Sequence, residues 1–106
     1  MNVMELFSLK GKVALVTGGA GVLGQQIVTA LVQAGARTYT ASRNLAALEE
    51  VASRFRREGY EVIAKELDLG DESSILRLKD ELLEREGKID ILVNNAAVKK
   101  MSGWKD

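Results

Sequence analysis

Apolar residues along this chain fall into two alternating patterns. Short runs of β-branched and other apolar residues, at 12–17, 37–41, 60–67 and 89–93, read as strands. Between them lie longer segments whose apolar residues recur at helical spacing. In the segment 22–34 the stripe comprises Val22, Leu23, Ile27, Val28, Ala30, Leu31 and Ala34, with Gln25, Gln26 and Gln33 on the wetter side. The next begins after Asn44, a predicted N-cap, and carries Leu45, Leu48, Ala52 and Phe55. Glu50 and Arg54 are placed to pair along its surface. The third, capped by Asp71 or Ser73, carries Ile75, Leu78, Leu82 and Leu83. Gly35, Gly59 and Gly87 mark the three helix ends. Leu6, Phe7 and Leu9 of the lead-in 1–11 are expected to pin it to the domain, and residues 98–106 carry no assignable pattern.

The alternation β-α-β-α-β-α-β requires parallel strands joined by right-handed crossovers. The predicted fold is α/β, a Rossmann-like doubly wound sheet of order 3-2-1-4 ending at the fourth strand. Winding reverses between strands one and four, which opens a crevice at their carboxyl ends. The third helix is expected alone on one face, and the fourth strand at an edge. That arrangement predicts an exposed apolar patch, marginal stability and self-association.

The turn after the first strand reads Thr17-Gly18-Gly19-Ala20-Gly21-Val22-Leu23-Gly24. Glycines at 18, 21 and 24 suit three tasks: chain reversal, approach of a ligand to backbone amides, and close packing of the helix on its strand. Unpaired amides and a partial positive charge at the helix start suit a pyrophosphate, so the element reads as a dinucleotide-binding turn. The bland alternative is a strand-ending Gly18-Gly19 and a packing Gly24.

The stretch from Leu9 to Gly18 resembles the opening of short-chain dehydrogenases/reductases, and Asn94-Asn95-Ala96-Ala97 resembles that family's N-N-A-G motif, with Ala97 in place of glycine. The compact branch of the family would have glycine at Val22; the spacing here, T-G-x-x-G-x-x-G, is that of the extended branch. The resemblance implies a cofactor site made of four segments. These are Gly18, Ala20, Gly21, Val22, Leu23 and Gly24 in the turn, Ser42, Arg43 and Asn44 after the second strand, Asp68 and Leu69 after the third, and Asn95, Ala96 and Ala97 after the fourth. Asp68 would face the adenine amino group with Leu69 beside the ring; a simple turn or capping aspartate is the alternative. No acid stands between Ala41 and Asn44, and a guanidinium at Arg43 suits a 2′-phosphate, so NADP(H) is expected over NAD(H). The alternative for Arg43 is a solvated turn residue.

The family's chemistry uses a Tyr followed four residues later by Lys, with a Ser and another Asn. Here Tyr39 is followed at that spacing by Arg43 and Tyr60 by Ala64. No catalytic position is matched, so the chain reads as the cofactor-binding half of such an oxidoreductase, inactive alone. A pairing with the missing C-terminal half is expected. The alternatives are a non-catalytic nucleotide-binding module and a structural remnant.

Composition narrows the classes. The 106 residues carry no cysteine and no histidine, which removes disulfides, thiolate chemistry, the usual zinc sites and a Ser-His-Asp triad. Net charge is zero, so nothing favours nucleic acid or an acidic membrane. The first nine residues do not read as a signal peptide and no stretch is long enough to span a membrane, which makes the cytoplasm the expected location.

Overall fold

The computed structural model describes residues 7–95. Four strands, β1 (Val13–Thr17), β2 (Arg37–Ser42), β3 (Val62–Glu66) and β4 (Ile91–Asn94), alternate with three helices, α1 (Val22–Gln33), α2 (Leu45–Arg57) and α3 (Glu72–Glu86). All pairings are parallel and the sheet order is β3-β2-β1-β4, the doubly wound arrangement expected. The β1–β2 register sets Val13 beside Arg37, and the β1–β4 register sets Ala14 beside Ile91.

Period-two alternation sends side chains to two faces. Val13 and Leu15 of β1, Tyr39 and Ala41 of β2, and Ile63 of β3 pack with Leu78 and Leu82 of α3. Val16, Val62, Ala64 and Val93 pack with Val28 and Val32 of α1 and Ala52 and Phe55 of α2. One helix therefore covers one face and two helices the other. β1, flanked on both sides, is buried along its whole length. β4 has a neighbour on one side only among the described residues, and Leu92 on the α3 face is 66% exposed.

Several expectations shift. Val22 and Leu23 are 77% and 60% exposed rather than part of the buried stripe, because the first turn of α1 stands beyond the end of the strand it packs on. Ala30 also faces out. The buried side of α1 is narrower, Gly24, Val28 and Val32, at strict four-residue spacing. Phe7 is exposed; the lead-in is tied instead by Leu9 N–H donating to Ala34 O at 2.7 Å, and Leu6 lies outside the described residues. Arg54 does not turn back to Glu50 but reaches Gln25 Oε1 on α1 at 2.9 Å. Asp71, not Ser73, caps α3, and Asn44 caps α2 through Ala47 N–H. β3 is shorter than predicted and β4 starts later. Asp90 is drawn into the junction, where its carboxylate accepts Val13 N–H at 2.7 Å and is thereby held below the usual aspartate range.

A polar cluster closes the amino end of the sheet. The buried Tyr39 hydroxyl donates to Glu86 at the end of α3. Arg37 Nε donates to the same carboxylate at 2.6 Å, and its other arm pairs with Glu61. The Tyr39 hydroxyl, then the Arg37 guanidinium, hold the Glu86 carboxyl below its ordinary value, while burial pushes the Tyr39 phenol up. A depressed carboxyl stabilises the fold above its unfolded-state value and loses that contribution as pH falls through the folded-state one.

Acid unfolding followed by circular dichroism should show a loss of stability as pH drops below the ordinary glutamate value of 4.5, and Glu86→Gln should flatten that loss. Leu82→Ala, at a fully buried site, should cost about 2–5 kcal/mol in urea unfolding. Leu92→Ala, at an exposed one, should cost less than about 0.5 kcal/mol.

Candidate functional site

The site is built where β1 and β4 end side by side. Thr17, the last residue of β1, is buried, and its Oγ1 lies 3.0 Å from Asn94 Oδ1, to which it donates. The same oxygen accepts Asn95 N–H at 3.0 Å. Asn95 Nδ2 then donates to Gly18 O at 3.2 Å. Two segments 77 residues apart in sequence are thus joined at the sheet's carboxyl edge.

The chain leaves β1 through Gly18, whose φ of 73° is the left-handed region that favours glycine. Gly18 N–H still reaches back to Ala41 O of β2 at 2.8 Å. The backbone then doubles over itself so tightly that a Cβ at Gly24 would stand 2.1 Å from Gly18 O. Gly24 is therefore the close-packing glycine. Gly21 is open on its free side, where a Cβ would meet nothing nearer than 3.9 Å. Gly19, absent from the predicted set, lies flat on β2, where a Cβ would fall 1.8 Å from Thr40 Oγ1. The sequence signal for it was the doubled glycine, which the spacing rule passed over.

α1 begins without a side-chain cap and with no acid in its first turn. Its first internal amide bond from the turn is Gln25 N–H to Gly21 O at 2.9 Å, so the amides of Val22, Leu23 and Gly24 precede any helical acceptor among the described residues. α2 and α3, by contrast, are closed by Asn44 and Asp71. Donors with no acceptor, a positive helix end and an open glycine suit a diphosphate.

The other predicted residues within the described range follow the carboxyl ends of β2 and β3. Ser42 ends β2, with Oγ donating to Asn44 O at 3.3 Å. Arg43 is exposed, and its guanidinium has no hydrogen bond or ion pair among the described residues. Asn44 is committed to its capping bond with Ala47 N–H at 3.1 Å. Asp68 is half-buried, and its Oδ1 accepts Gly70 N–H at 2.9 Å in a local turn, the structural role weighed for it. Leu69 packs on the α3-side core. Ala96 and Ala97 lie outside the described residues.

Gln25 is the residue that pattern reading missed. Expected on the wet side, it is half-buried, and its Nε2 donates to Ala20 O at 2.8 Å. The tyrosines are equally informative. Tyr39 is bound to Glu86 at the far end of the sheet, and Tyr60 packs on the α1–α2 core. No cluster of acidic, cysteine or histidine residues that could hold a metal occurs among the described residues, and no described helix is long and apolar enough to cross a membrane.

The profile of the short chain dehydrogenase family matches residues 12–106. The chain belongs to that family. Among its relatives, the chain is 39% identical to the rhamnolipids biosynthesis 3-oxoacyl-[acyl-carrier-protein] reductase of Pseudomonas aeruginosa, over 92% of this chain and 41% of that protein. It is 46% identical to a sorbitol dehydrogenase of Cereibacter sphaeroides over 85% of this chain and 34% of that one. The Pseudomonas aeruginosa RhlG/NADP active-site complex superposes with a TM-score of 0.82 at 40% identity, covering 98% of this chain and 41% of that one. A gluconate 5-dehydrogenase from Burkholderia cenocepacia, solved with NADP and tartrate, superposes with a TM-score of 0.82 at 34% identity, over 92% and 38%. The chain spans 34% to 41% of the length of these relatives. The four described strands of this family member superpose on those structures, and NAD(P) is the family's cofactor class.

Gly24→Ala should destabilise the protein by about 1–3 kcal/mol in urea unfolding, because the added methyl overlaps the Gly18 carbonyl. Gly21→Ala has room, and its φ of −75° is ordinary. It should leave stability within about 0.5 kcal/mol of the parent.

Proposed function

We propose that this chain is an NADP(H)-binding unit of an oxidoreductase working on an alcohol/carbonyl pair. The observation that carries the reading is the uncapped start of α1 above the Gly18–Gly24 turn, while the other two described helices are capped. The amides of Val22, Leu23 and Gly24 would receive the diphosphate. Arg43, uncommitted to any internal partner among the described residues, would pair with the 2′-phosphate; a carboxylate there would repel it. Asp68 keeps Oδ2 outside its local turn for an adenine amino group, with Leu69 against the ring edge. Asn95 and the two alanines after it would border the cofactor ribose. The NADP bound in two of the related structures supports the same preference.

When bound, the nicotinamide supplies or accepts hydride. Neither tyrosine is placed to move a proton there, and neither is followed by lysine at the family's spacing. The chain is therefore a binder that does not turn over alone. The edge of β4, unpaired among the described residues, with its exposed Leu92 favours association, either with the remainder of a longer family member or with a second copy. Sedimentation should show a mass that rises with concentration.

In fluorescence titration NADPH should bind more tightly than NADH. Arg43→Ala should weaken NADPH by about tenfold and leave NADH within about twofold. Tighter binding of NADH by the unaltered chain would sink the assignment.

A further inference from the structure

Gln25 has all four of its polar atoms engaged. Its N–H donates to Gly21 O at 2.9 Å, and its carbonyl accepts the Thr29 hydroxyl at 2.8 Å. Nε2 donates to Ala20 O at 2.8 Å, and Oε1 accepts Arg54 Nη2 from α2 at 2.9 Å. Its neighbour Gln26 is exposed. The bond to Ala20 falls on a sensitive peptide. Ala20 and Gly21 share one planar trans unit, so the direction of the Ala20 carbonyl fixes the opposite direction of the Gly21 N–H. That unit can flip cheaply, because Gly21 tolerates φ of either sign and nothing crowds its free side. Internal support from Gly21 itself is slight, since its N–H reaches Gly18 O only at 3.4 Å. A flip would swing a carbonyl oxygen round and reorganise the turn ahead of α1.

We infer that Gln25 is a positioning residue for the diphosphate turn, and that Arg54 sets it by claiming the oxygen of its amide. This rests on the cofactor reading above. An amide side chain could present either end to Ala20; with Arg54 on Oε1, the donor end faces the carbonyl. The turn is thereby locked before a ligand arrives, so the ordering entropy is not subtracted from binding. The link also ties the phosphate turn to α2, the helix that starts beside Arg43.

The test uses the full chain with Gln25→Met, Arg54→Met and the double variant. Two ligands separate the roles: NADPH, which carries the diphosphate, and adenosine 2′-phosphate, which does not. Gln25→Met should raise the NADPH dissociation constant by about tenfold and Arg54→Met by about threefold. The double variant should be no worse than Gln25→Met alone, because both changes remove one linked device. Adenosine 2′-phosphate, followed by NMR titration, should bind each variant within about twofold of the parent. Parent-like NADPH affinity in Gln25→Met, equal losses for both ligands, or additive losses in the double variant would each overturn the inference. Arg54 is on the surface, so its variant reports even where Gln25→Met unfolds. Failure of the unaltered chain to bind NADPH overturns the cofactor reading itself and this inference with it.

Discussion

The Gly18 carbonyl is the pivot of this structure. It receives the Asn95 amide at 3.2 Å and the Gly21 N–H at 3.4 Å, and it leaves no space for a side chain at position 24. A helix can begin this close to the end of its strand only if its first turn carries no Cβ at the contact. The close approach brings the amides at the start of α1 over the carboxyl edge of the sheet, beside the end of β4. Everything proposed for the site depends on that proximity, because helix-end charge falls off within a turn.

The two ends of the sheet solve different problems. At the amino end, charges are matched internally: Arg37 with Glu61 and Glu86, Tyr39 with Glu86, and Asp90 with Lys88 at 3.2 Å. A buried phenol needs such a partner, and Glu86 supplies it at the end of α3. At the carboxyl end, polarity is held in reserve. The amides of Val22, Leu23 and Gly24 and the Arg43 guanidinium have no internal partner among the described residues. Thr17 is committed instead to the fold, because its hydroxyl joins the ends of β1 and β4.

The faces are unequal as well. α1 and α2 share one layer, while α3 holds the other with Leu78 and Leu82 at its centre and Ile75 and Leu83 at 39% and 41% exposure on its flanks. A single helix is narrower than a four-stranded sheet, so its outer apolar positions find no second layer among the described residues.

Strand order, helix number and the place of the glycine turn were legible in the residues, since each rests on local periodicity and on the handedness of βαβ crossovers. So were the Asn44 and Asp71 alternatives for capping and the edge position of β4. Helix exposure was not. Val22 and Leu23 have the right spacing for a core stripe, but spacing carries no knowledge of where the underlying strand stops. Gln25 was missed for a related reason. Gln25, Gln26 and Gln33 are chemically identical along the chain, and they part company only because Arg54, on another helix, arrives beside the first of them. Local chemistry can say that a turn will open and a helix will start there. Which side chain then holds the turn, and which donors are left without an acceptor, is set by neighbours that fold into place from 29 to 78 residues away.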